Sequence, residues 1–337
     1  MKNILFLVVV FFFNAGIAHT QDLSDLYKES IKTVVTLYTT EFKFSGGEVS
    51  PSESLGSGVI IDKNGLIMTA AHVVETANVI KVKLHNGNSY NAEIIRVIPS
   101  ADIALIRITE EVPGLFSADI NKAYTEVKIG HQVYVIGAPL GIEQSLSSGY
   151  VSGFLKRNSM SNGTMAKFIQ TDASINRGNS GGPMFNMKGD LIGIVSYILT
   201  QSGGFEGIGY VVDIRTAVEL LLDDKSHFWS GFDGYFLDQN LSKVLNLPQE
   251  AGLLIQRVSK DSFAEKMGLQ GGFFKAEILS QKLWLGGDII LEILGSSCEK
   301  PHSLRSIKEE IEGLSPGEEI YLKILRHGEI IDIRKKI

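Results

Sequence analysis

Two Asn-Gly pairs, each set between runs of apolar residues, constrain the fold of this chain most strongly. Asn64-Gly65 separates Val59-Ile60-Ile61 from Leu66-Ile67-Met68, and Asn86-Gly87 lies in a similar setting further along. An Asn-Gly pair favours a two-residue turn between antiparallel strands, because both residues tolerate positive φ. Strands that recur about every 8 to 12 residues, with turn residues between them, are typical of all-β folds. This part of the chain therefore predicts a β-barrel.

A second set of strands begins at Val133-Tyr134-Val135-Ile136-Gly137, and residues 212–224 have the spacing of a helix that follows this set. The chain has 337 residues, which is enough for two domains with a sizeable core. Its 35 glycines against 8 prolines suit many tight turns between strands. We therefore predict a mainly β fold, with one domain over residues 19–224 and a second over residues 225–337.

The charge and the cysteine content exclude several classes of protein. A net charge of −6 is mild and argues against nucleic acid as a main partner. Cys298 is the single cysteine, so the chain has no internal disulfide. No paired cysteine or histidine motif is present, and we therefore predict no metal site and no cofactor.

The amino-terminal segment predicts export. Lys2 supplies a positive charge, residues 4–13 are an unbroken apolar run, and Gly16-Ile17-Ala18 offers small residues for cleavage. We predict a signal peptide over residues 1–18, because a bilayer span needs about 20 apolar residues. An uncleaved anchor that extends through residues 15–18 is the alternative. Export of a chain without disulfides fits a bacterial periplasm.

The run Gly178-Asn179-Ser180-Gly181-Gly182-Pro183 is the first candidate for chemistry. Glycines on both sides of a serine suggest a nucleophile on a tight turn, where a substrate carbonyl can approach closely. The N–H groups of Gly178 and Ser180 would then form an oxyanion hole. The alternative is a surface turn rich in glycine and serine. A serine alone is a weak nucleophile, so a base and an orienting group must lie elsewhere.

Both are present earlier in the chain. His72 follows the apolar run Leu66-Ile67-Met68, and Asp102 precedes the apolar run Ile103-Ala104-Leu105-Ile106. A lone histidine after a strand is more often structural than catalytic. The order His, Asp, Ser, however, is that of the chymotrypsin-like double β-barrel and differs from subtilisin and the α/β-hydrolases.

With these motifs together, the chain resembles the HtrA-type (Deg) serine proteases over nearly all of its length after residue 18. The matching motifs are Thr-Ala-Ala-His-Val-Val, Asp-Ile-Ala-Leu and Gly-Asn-Ser-Gly-Gly-Pro. The resemblance implies peptide-bond hydrolysis through an acyl-enzyme, with His72 as general base and Asp102 as the group that orients it. It also implies a homotrimer.

The resemblance assigns a pocket and a regulatory position as well. Ile175 and Ile208 match the residues that line the pocket for the side chain before the scissile bond. No acidic residue matches the floor of this pocket, so we expect a preference for small apolar side chains over Lys and Arg.

The arginine of the family's sensor loop aligns with Lys156, or with Arg157 after a shift of one residue. Both could equally be solvated surface cations.

The second domain resembles a PDZ domain. Trp229-Ser230-Gly231-Phe232 matches the loop with which PDZ domains bind a terminal carboxylate, and a bound peptide would add as a strand to the sheet edge. Residues 303–311 match the helix beside the peptide groove. Residues 271–285 form a longer link than the family has, for which a surface hairpin is the simplest account.

These features predict an ATP-independent serine endopeptidase of the cell envelope that degrades unfolded or misfolded proteins. Peptides with free carboxyl termini would regulate it through the PDZ domain. Two alternatives stay open. One is a holdase chaperone that uses the protease fold as a scaffold, and the other is a signalling protease that cuts one dedicated partner.

Overall fold

Strands dominate this computed structural model, which describes residues 22–45, 48–122, 126–158, 165–198, 205–222, 231–258, 262–315 and 317–337. The predicted signal peptide therefore lies outside the described residues. Within the described ranges, no helix combines the length and the apolar character that crossing a membrane requires.

The first β-barrel follows helix α1 (Leu23–Ser30). Its strands are β1 (Val34–Ser45), β2 (Glu48–Ile60), β3 (Leu66–Thr69), β4 (Val79–Lys83), β5 (Ser89–Ile98) and β6 (Ile103–Ile108), with the short helix α2 (Ala71–Val74) after β3. The barrel closes in the order β1-β2-β3-β6-β5-β4, and its neighbouring strands are antiparallel. The predicted first barrel is confirmed.

Both Asn-Gly pairs lie in hairpin loops, but neither loop is the two-residue turn that the sequence predicts. Only the glycine of each pair has positive φ, at 82° for Gly65 and 89° for Gly87. In the first loop the carboxylate of Asp62 accepts the N–H groups of Asn64 and Leu66. The loop therefore spans four residues, and the Ile61 N–H donates to the Leu66 carbonyl across its base.

The second β-barrel has the same plan as the first. Its strands are β7 (Gln132–Gly137), β8 (Ser145–Asn158), β9 (Met165–Thr171), β10 (Pro183–Asn186), β11 (Leu191–Ile198) and β12 (Gly209–Asp213), and helix α3 (Ile214–Leu221) follows β12. The barrel closes in the order β10-β11-β12-β9-β8-β7. The side chain of Asp213 caps α3 by accepting the Arg215 N–H at 2.8 Å.

An apolar core joins the two barrels. Met68 of the first barrel lies in the same buried cluster as Tyr134, Phe168 and Phe185 of the second, and the rings of Tyr134 and Phe185 stack at 5.3 Å. Each barrel also has an apolar cluster of its own. Burial of a large apolar side chain contributes about 1.5–3 kcal/mol, so this seam holds the barrels in one arrangement. Loops from both barrels consequently meet where the candidate site lies.

The carboxyl-terminal part folds around a separate six-stranded sheet. Its strands are β13 (Phe232–Leu237), β14 (Gly252–Val258), β17 (Ile289–Ile293), β18 (Ser296–Ser297), β19 (Glu319–Arg326) and β20 (Glu329–Lys336), and its helices are α4 (Gln239–Val244), α5 (Phe263–Lys266) and α6 (Pro301–Glu312). The main order is β13-β14-β17-β19-β20, which places β13 at one edge. Leu304 and Ile307 of α6 share a buried cluster with Phe232, so one face of this helix packs against the sheet.

The link over residues 271–285 contains a hairpin of β15 (Phe274–Ile278) and β16 (Gln281–Leu285). Leu283 of the hairpin is buried together with Leu237, Leu254 and Leu291 of the sheet. Along their strands these sheet residues alternate with those that pack against α6, so they lie on the opposite face of the sheet. The hairpin therefore covers the face of the sheet that α6 leaves open. This packing gives the unusual link a structural role.

Candidate active site

His72 and Asp102 come together because their strands are paired. Strand β3 leads into the helix that carries His72, Asp102 lies directly before β6, and Thr69 pairs with Ala104 in the antiparallel ladder. His72 Nδ1 lies 2.9 Å from Asp102 Oδ1 and 3.0 Å from Oδ2, and the His72 backbone N–H donates to Oδ1 at 3.1 Å. With Nδ1–H donated to the carboxylate, Nε2 is the nitrogen left to accept a proton.

Asp102 has a further partner that the sequence analysis missed. The hydroxyl of Ser196, in β11 of the second barrel, donates to Asp102 Oδ2 at 2.5 Å. Ser196 is 1% exposed. In the sequence, the only indication of this contact is a serine within an otherwise apolar strand, because a buried hydroxyl needs a hydrogen-bond partner. Three donors from both barrels therefore hold the carboxylate.

The surroundings of His72 favour its charged form. Burial lowers the pKa of the imidazole, but the hydrogen bond and the negative charge of Asp102, together with the charge of Glu75, outweigh burial and raise the pKa above its ordinary 6.5. The side chain is 47% exposed, so a substrate can reach it. A raised pKa suits a group that must take and hold a proton during a reaction.

The Ser180 loop packs against the strand that presents His72. The Ser180 carbonyl accepts the Ser57 N–H at 2.8 Å. Gly181 has a φ of 81°, and a Cβ there would collide with Thr69 and lie 2.8 Å from the Ala70 nitrogen. Only glycine fits this conformation and this close approach. The structure thus places Ser180 beside the residues that immediately precede the His72 helix.

The peptide groups around Ser180 have a defined orientation. The Arg177 carbonyl accepts the Leu140 N–H at 2.8 Å, and the Asn179 carbonyl accepts the Gly182 N–H at 2.8 Å. In a trans peptide the N–H points opposite to the carbonyl. The N–H groups of Gly178 and Ser180 therefore point away from these anchors, and neither has a backbone acceptor within the described residues. Both are free to bind an external oxygen.

Of the two predicted pocket residues, Ile175 packs against Gly209, which follows Ile208 in the chain. Ile175 is 2% exposed, and a Cβ on Gly209 would lie 2.6 Å from its Cδ1 atom. Ile208 precedes this glycine and is partly buried. Ile175 occupies the space that a larger residue at position 209 would need.

The predicted regulatory and carboxylate-loop residues are placed only in part. Lys156 is exposed on β8 and pairs with Lys167 of β9. The side chain of Arg157 lies outside the described residues, as do Trp229 and Ser230. The Gly231 carbonyl accepts the Ser262 hydroxyl at 3.2 Å, and Phe232 is buried at the start of β13.

Within the part of the chain that is described, no group of three His, Cys, Asp or Glu side chains could hold a metal ion.

Comparison with known proteins agrees with this geometry. Residues 56–194 match the family of the trypsin-like peptidase domain. Two relatives bear the name "Probable periplasmic serine endoprotease DegP-like". The one from Ectopseudomonas mendocina is 35% identical over 301 residues, which cover 87% of this chain and 57% of the relative. The one from Halomonas elongata is 34% identical over 289 residues, which cover 84% of this chain and 56% of the relative. The chain thus spans a little over half the length of these relatives.

A solved structure titled "HtrA-type protease AlgW with tripeptide" is 28% identical, with a TM-score of 0.55, and the match covers 93% of this chain and 95% of that one. The fold and the site are those of the trypsin-like peptidase domain. Beyond that domain, the chain is similar to HtrA-type proteases over most of its length. The resemblance and the double-barrel fold predicted from the sequence are confirmed, and the names of the relatives agree with the predicted periplasmic location.

Proposed function

We propose that this chain is a periplasmic serine endopeptidase that hydrolyses peptide bonds through an acyl-enzyme. The observation that carries the proposal is the meeting of three elements at the barrel junction. These are a histidine bonded through Nδ1 to a carboxylate, a serine loop packed against the same strand end, and two unpaired N–H groups in that loop. No requirement of folding accounts for all three.

The roles follow from the geometry. His72 takes the hydroxyl proton of Ser180 as the oxygen attacks the substrate carbonyl, and then donates that proton to the leaving amine. Asp102 fixes the tautomer and stabilises the imidazolium, with Ser196 sharing its second oxygen. The N–H groups of Gly178 and Ser180 bind the oxyanion, and losing one such donor typically costs about 10²–10³ in turnover. Water then releases the acyl group by the same steps in reverse.

The proposed pocket favours Val, Ala or Ile before the scissile bond. Ile175 and Ile208 supply apolar surface, and a positively charged side chain would find no carboxylate in the proposed lining. The measurement is kcat/KM for peptides that differ only by Val or Arg at that position. Faster cleavage of the Arg peptide would contradict the pocket assignment.

The finer part of the proposal concerns substrates and regulation. We assign unfolded proteins as substrates and propose that the carboxyl-terminal domain acts as a PDZ domain, since β13 is a sheet edge that an added strand could extend. The proposed homotrimer draws support from Leu146 and Tyr150, which are 37% and 51% exposed on one face of β8. Light scattering would test the trimer.

Digestion of an unfolded protein tests the function. The purified chain and its Ser180→Ala variant are compared, each with and without a peptide that ends in an apolar residue. The control peptide has the same sequence with an amidated carboxyl terminus. We expect cleavage by the parent alone, faster with the free peptide and unchanged with the amidated one. Cleavage at the same rate with either peptide or with none would contradict the proposed regulation through the carboxyl-terminal domain. No cleavage by the parent would favour a chaperone or a narrowly specific protease.

A further inference from the structure

Ser57 lies where the first barrel touches the nucleophile loop. Its side chain is fully buried in β2. The hydroxyl donates to the Gly178 carbonyl at 2.7 Å and accepts the Ala138 N–H at 3.1 Å. Ala138 follows β7 and Gly178 follows β9, so one hydroxyl of the first barrel bridges two loops of the second.

The backbone of Ser57 is engaged at the same place. Its N–H donates to the Ser180 carbonyl at 2.8 Å, and its carbonyl accepts the Thr69 hydroxyl at 2.7 Å. Ser57 therefore contacts the loop on both sides of Asn179 and also the strand end before His72. This position gives it control over the geometry of the loop.

Gly178 needs such control because two peptide groups pivot about it. Its φ is 106°, and without a Cβ the peptides on either side rotate at little cost. The Arg177 carbonyl is anchored by the Leu140 N–H, which fixes the peptide before Gly178. The peptide after Gly178 is anchored at its carbonyl by the Ser57 hydroxyl, and its N–H, that of Asn179, donates to the Asn176 carbonyl at 2.9 Å. The Leu140 anchor thus orients the Gly178 N–H, and Ser57 holds the peptide that joins it to the peptide carrying the Ser180 N–H.

We propose that Ser57 is a positioning residue of the oxyanion hole, which rests on the function proposed above. Its hydroxyl holds the Gly178–Asn179 peptide, and through it the two N–H groups, in the arrangement that binds the developing negative charge. The position is tightly enclosed. A Cβ on Gly137 would lie 3.0 Å from the Ser57 hydroxyl oxygen, and one on Gly182 would lie 3.2 Å from the Ser57 Cβ.

Loss of the hydroxyl would leave two buried backbone groups without a partner. The Gly178 carbonyl and the Ala138 N–H both bond to it, and an unsatisfied buried polar group is strongly unfavourable. We expect the Gly178–Asn179 peptide to rotate toward another partner, with loss of the bond from the Asn179 N–H to the Asn176 carbonyl. Because this peptide joins the two that carry the Gly178 and Ser180 N–H groups, its rotation would change the direction of one N–H group relative to the other.

The test compares Ser57→Ala with the matched control Ser30→Ala. Ser30 is also buried, and its hydroxyl lies 2.8 Å from the Tyr134 hydroxyl, away from the nucleophile loop. We measure kcat, KM, the midpoint of urea unfolding, and the affinity for a peptide boronic acid, which places an oxygen in the oxyanion hole. For Ser57→Ala we expect kcat to fall about 10- to 100-fold with KM little changed. Boronate affinity should fall in parallel.

Ser30→Ala should lower only the unfolding midpoint. The proposal is overturned if Ser57→Ala keeps the kcat and the boronate affinity of the control. If Ser57→Ala does not fold, Ser57→Gly also removes the hydroxyl, and a kcat and a boronate affinity equal to those of the parent would overturn the proposal in the same way.

A crystal structure of Ser57→Ala separates this proposal from the proposed function. A rotated Gly178–Asn179 peptide supports the positioning role, and an unchanged peptide contradicts it, whether or not the parent hydrolyses peptides. Failure of the folded parent to cleave any peptide or react with the boronic acid would instead count against the proposed function.

Discussion

Asp102 and Asp288 are both carboxylates held by three hydrogen-bond donors, yet their partners differ in kind. Asp102 accepts from the ring and the backbone of His72 and from Ser196, and its side chain is 20% exposed. Asp288 accepts from Nε and Nη2 of Arg326 at 2.6 and 2.7 Å and from the Gln270 N–H, and its side chain is 1% exposed.

The difference separates a carboxylate for chemistry from a carboxylate for structure. The partners of Asp102 are neutral or can titrate, so the imidazole beside it can gain and lose a proton. The partner of Asp288 is a guanidinium that stays charged and binds through a planar fork. The first arrangement serves a reaction that moves a proton, whereas the second ties β19 to the loop before β17.

The largest effect is expected from Asp102→Asn. The amide cannot hold the imidazole in the required tautomer, and in a triad of this kind the change lowers kcat by about 10⁴. Asp62→Asn is the control, since Asp62 bonds only to backbone N–H groups of its loop. The measurement is kcat for a peptide substrate, from steady-state kinetics of both variants and the parent. An Asp102→Asn variant as active as Asp62→Asn would remove Asp102 from the mechanism.

Asp288→Asn should act on stability instead. Breaking a buried ion pair at one partner costs about 3 kcal/mol in the free energy of unfolding. Glu292→Gln is the control, because the pair of Glu292 and Lys323 is about 30% exposed and such surface pairs contribute less than about 1 kcal/mol. Urea unfolding in a Ser180→Ala background avoids self-digestion. Equal losses in the two variants would contradict the structural role assigned to Asp288.

Ser196→Ala should have a smaller effect on catalysis. The variant loses one of three donors to Asp102, and a hydrogen bond to a charged group contributes about 1.5–3 kcal/mol. We expect kcat to fall about tenfold, which corresponds to 1.4 kcal/mol at the transition state. The loss should disappear in an Asp102→Asn background, because both changes act through the same carboxylate. Additive losses would mean that Ser196 acts elsewhere.

The smallest of the expected effects is a change in the pH dependence of kcat/KM. His72 must be neutral to accept a proton, and its pKa is raised, so kcat/KM should fall as the pH drops through a value above 6.5. In the stability of the fold the sign is opposite, since a raised pKa stabilises the folded state at low pH and this gain is lost as the pH rises. Glu75→Gln should shift the acid limb of kcat/KM to lower pH.

Glu110→Gln is the control for the pH profile. Glu110 is exposed beyond the end of β6 that is remote from Asp102. Its removal should leave the acid limb in place. An acid limb that moves equally in both variants, or that moves upward with Glu75→Gln, would contradict the assignment of the titrating group to His72.

The sequence predicted the elements of the site that are local. His72, Asp102 and Ser180 each follow or precede a recognisable run, so their motifs could be found without the fold. Ser57 and Ser196 could not, because their roles arise from contacts across 121 and 94 residues of chain. The first hairpin loop differs from the prediction for a related reason, since the Asp62 side chain competes for the backbone donors of that loop. The recurrence of strands in the sequence was enough to predict the barrels. The contacts of Ser57 and Ser196 and the form of the hairpin loops depend on hydrogen bonds that the sequence does not reveal.

The role of Ser180 as the nucleophile is tested most directly by intact-protein mass spectrometry after incubation with a fluorophosphonate, which reacts with an activated serine. We expect one adduct per chain, located at Ser180 by peptide mapping, absent in Ser180→Ala and formed much more slowly in Asp102→Asn. No adduct on the folded parent, or an adduct that Ser180→Ala retains, would contradict the claim that Ser180 is the nucleophile.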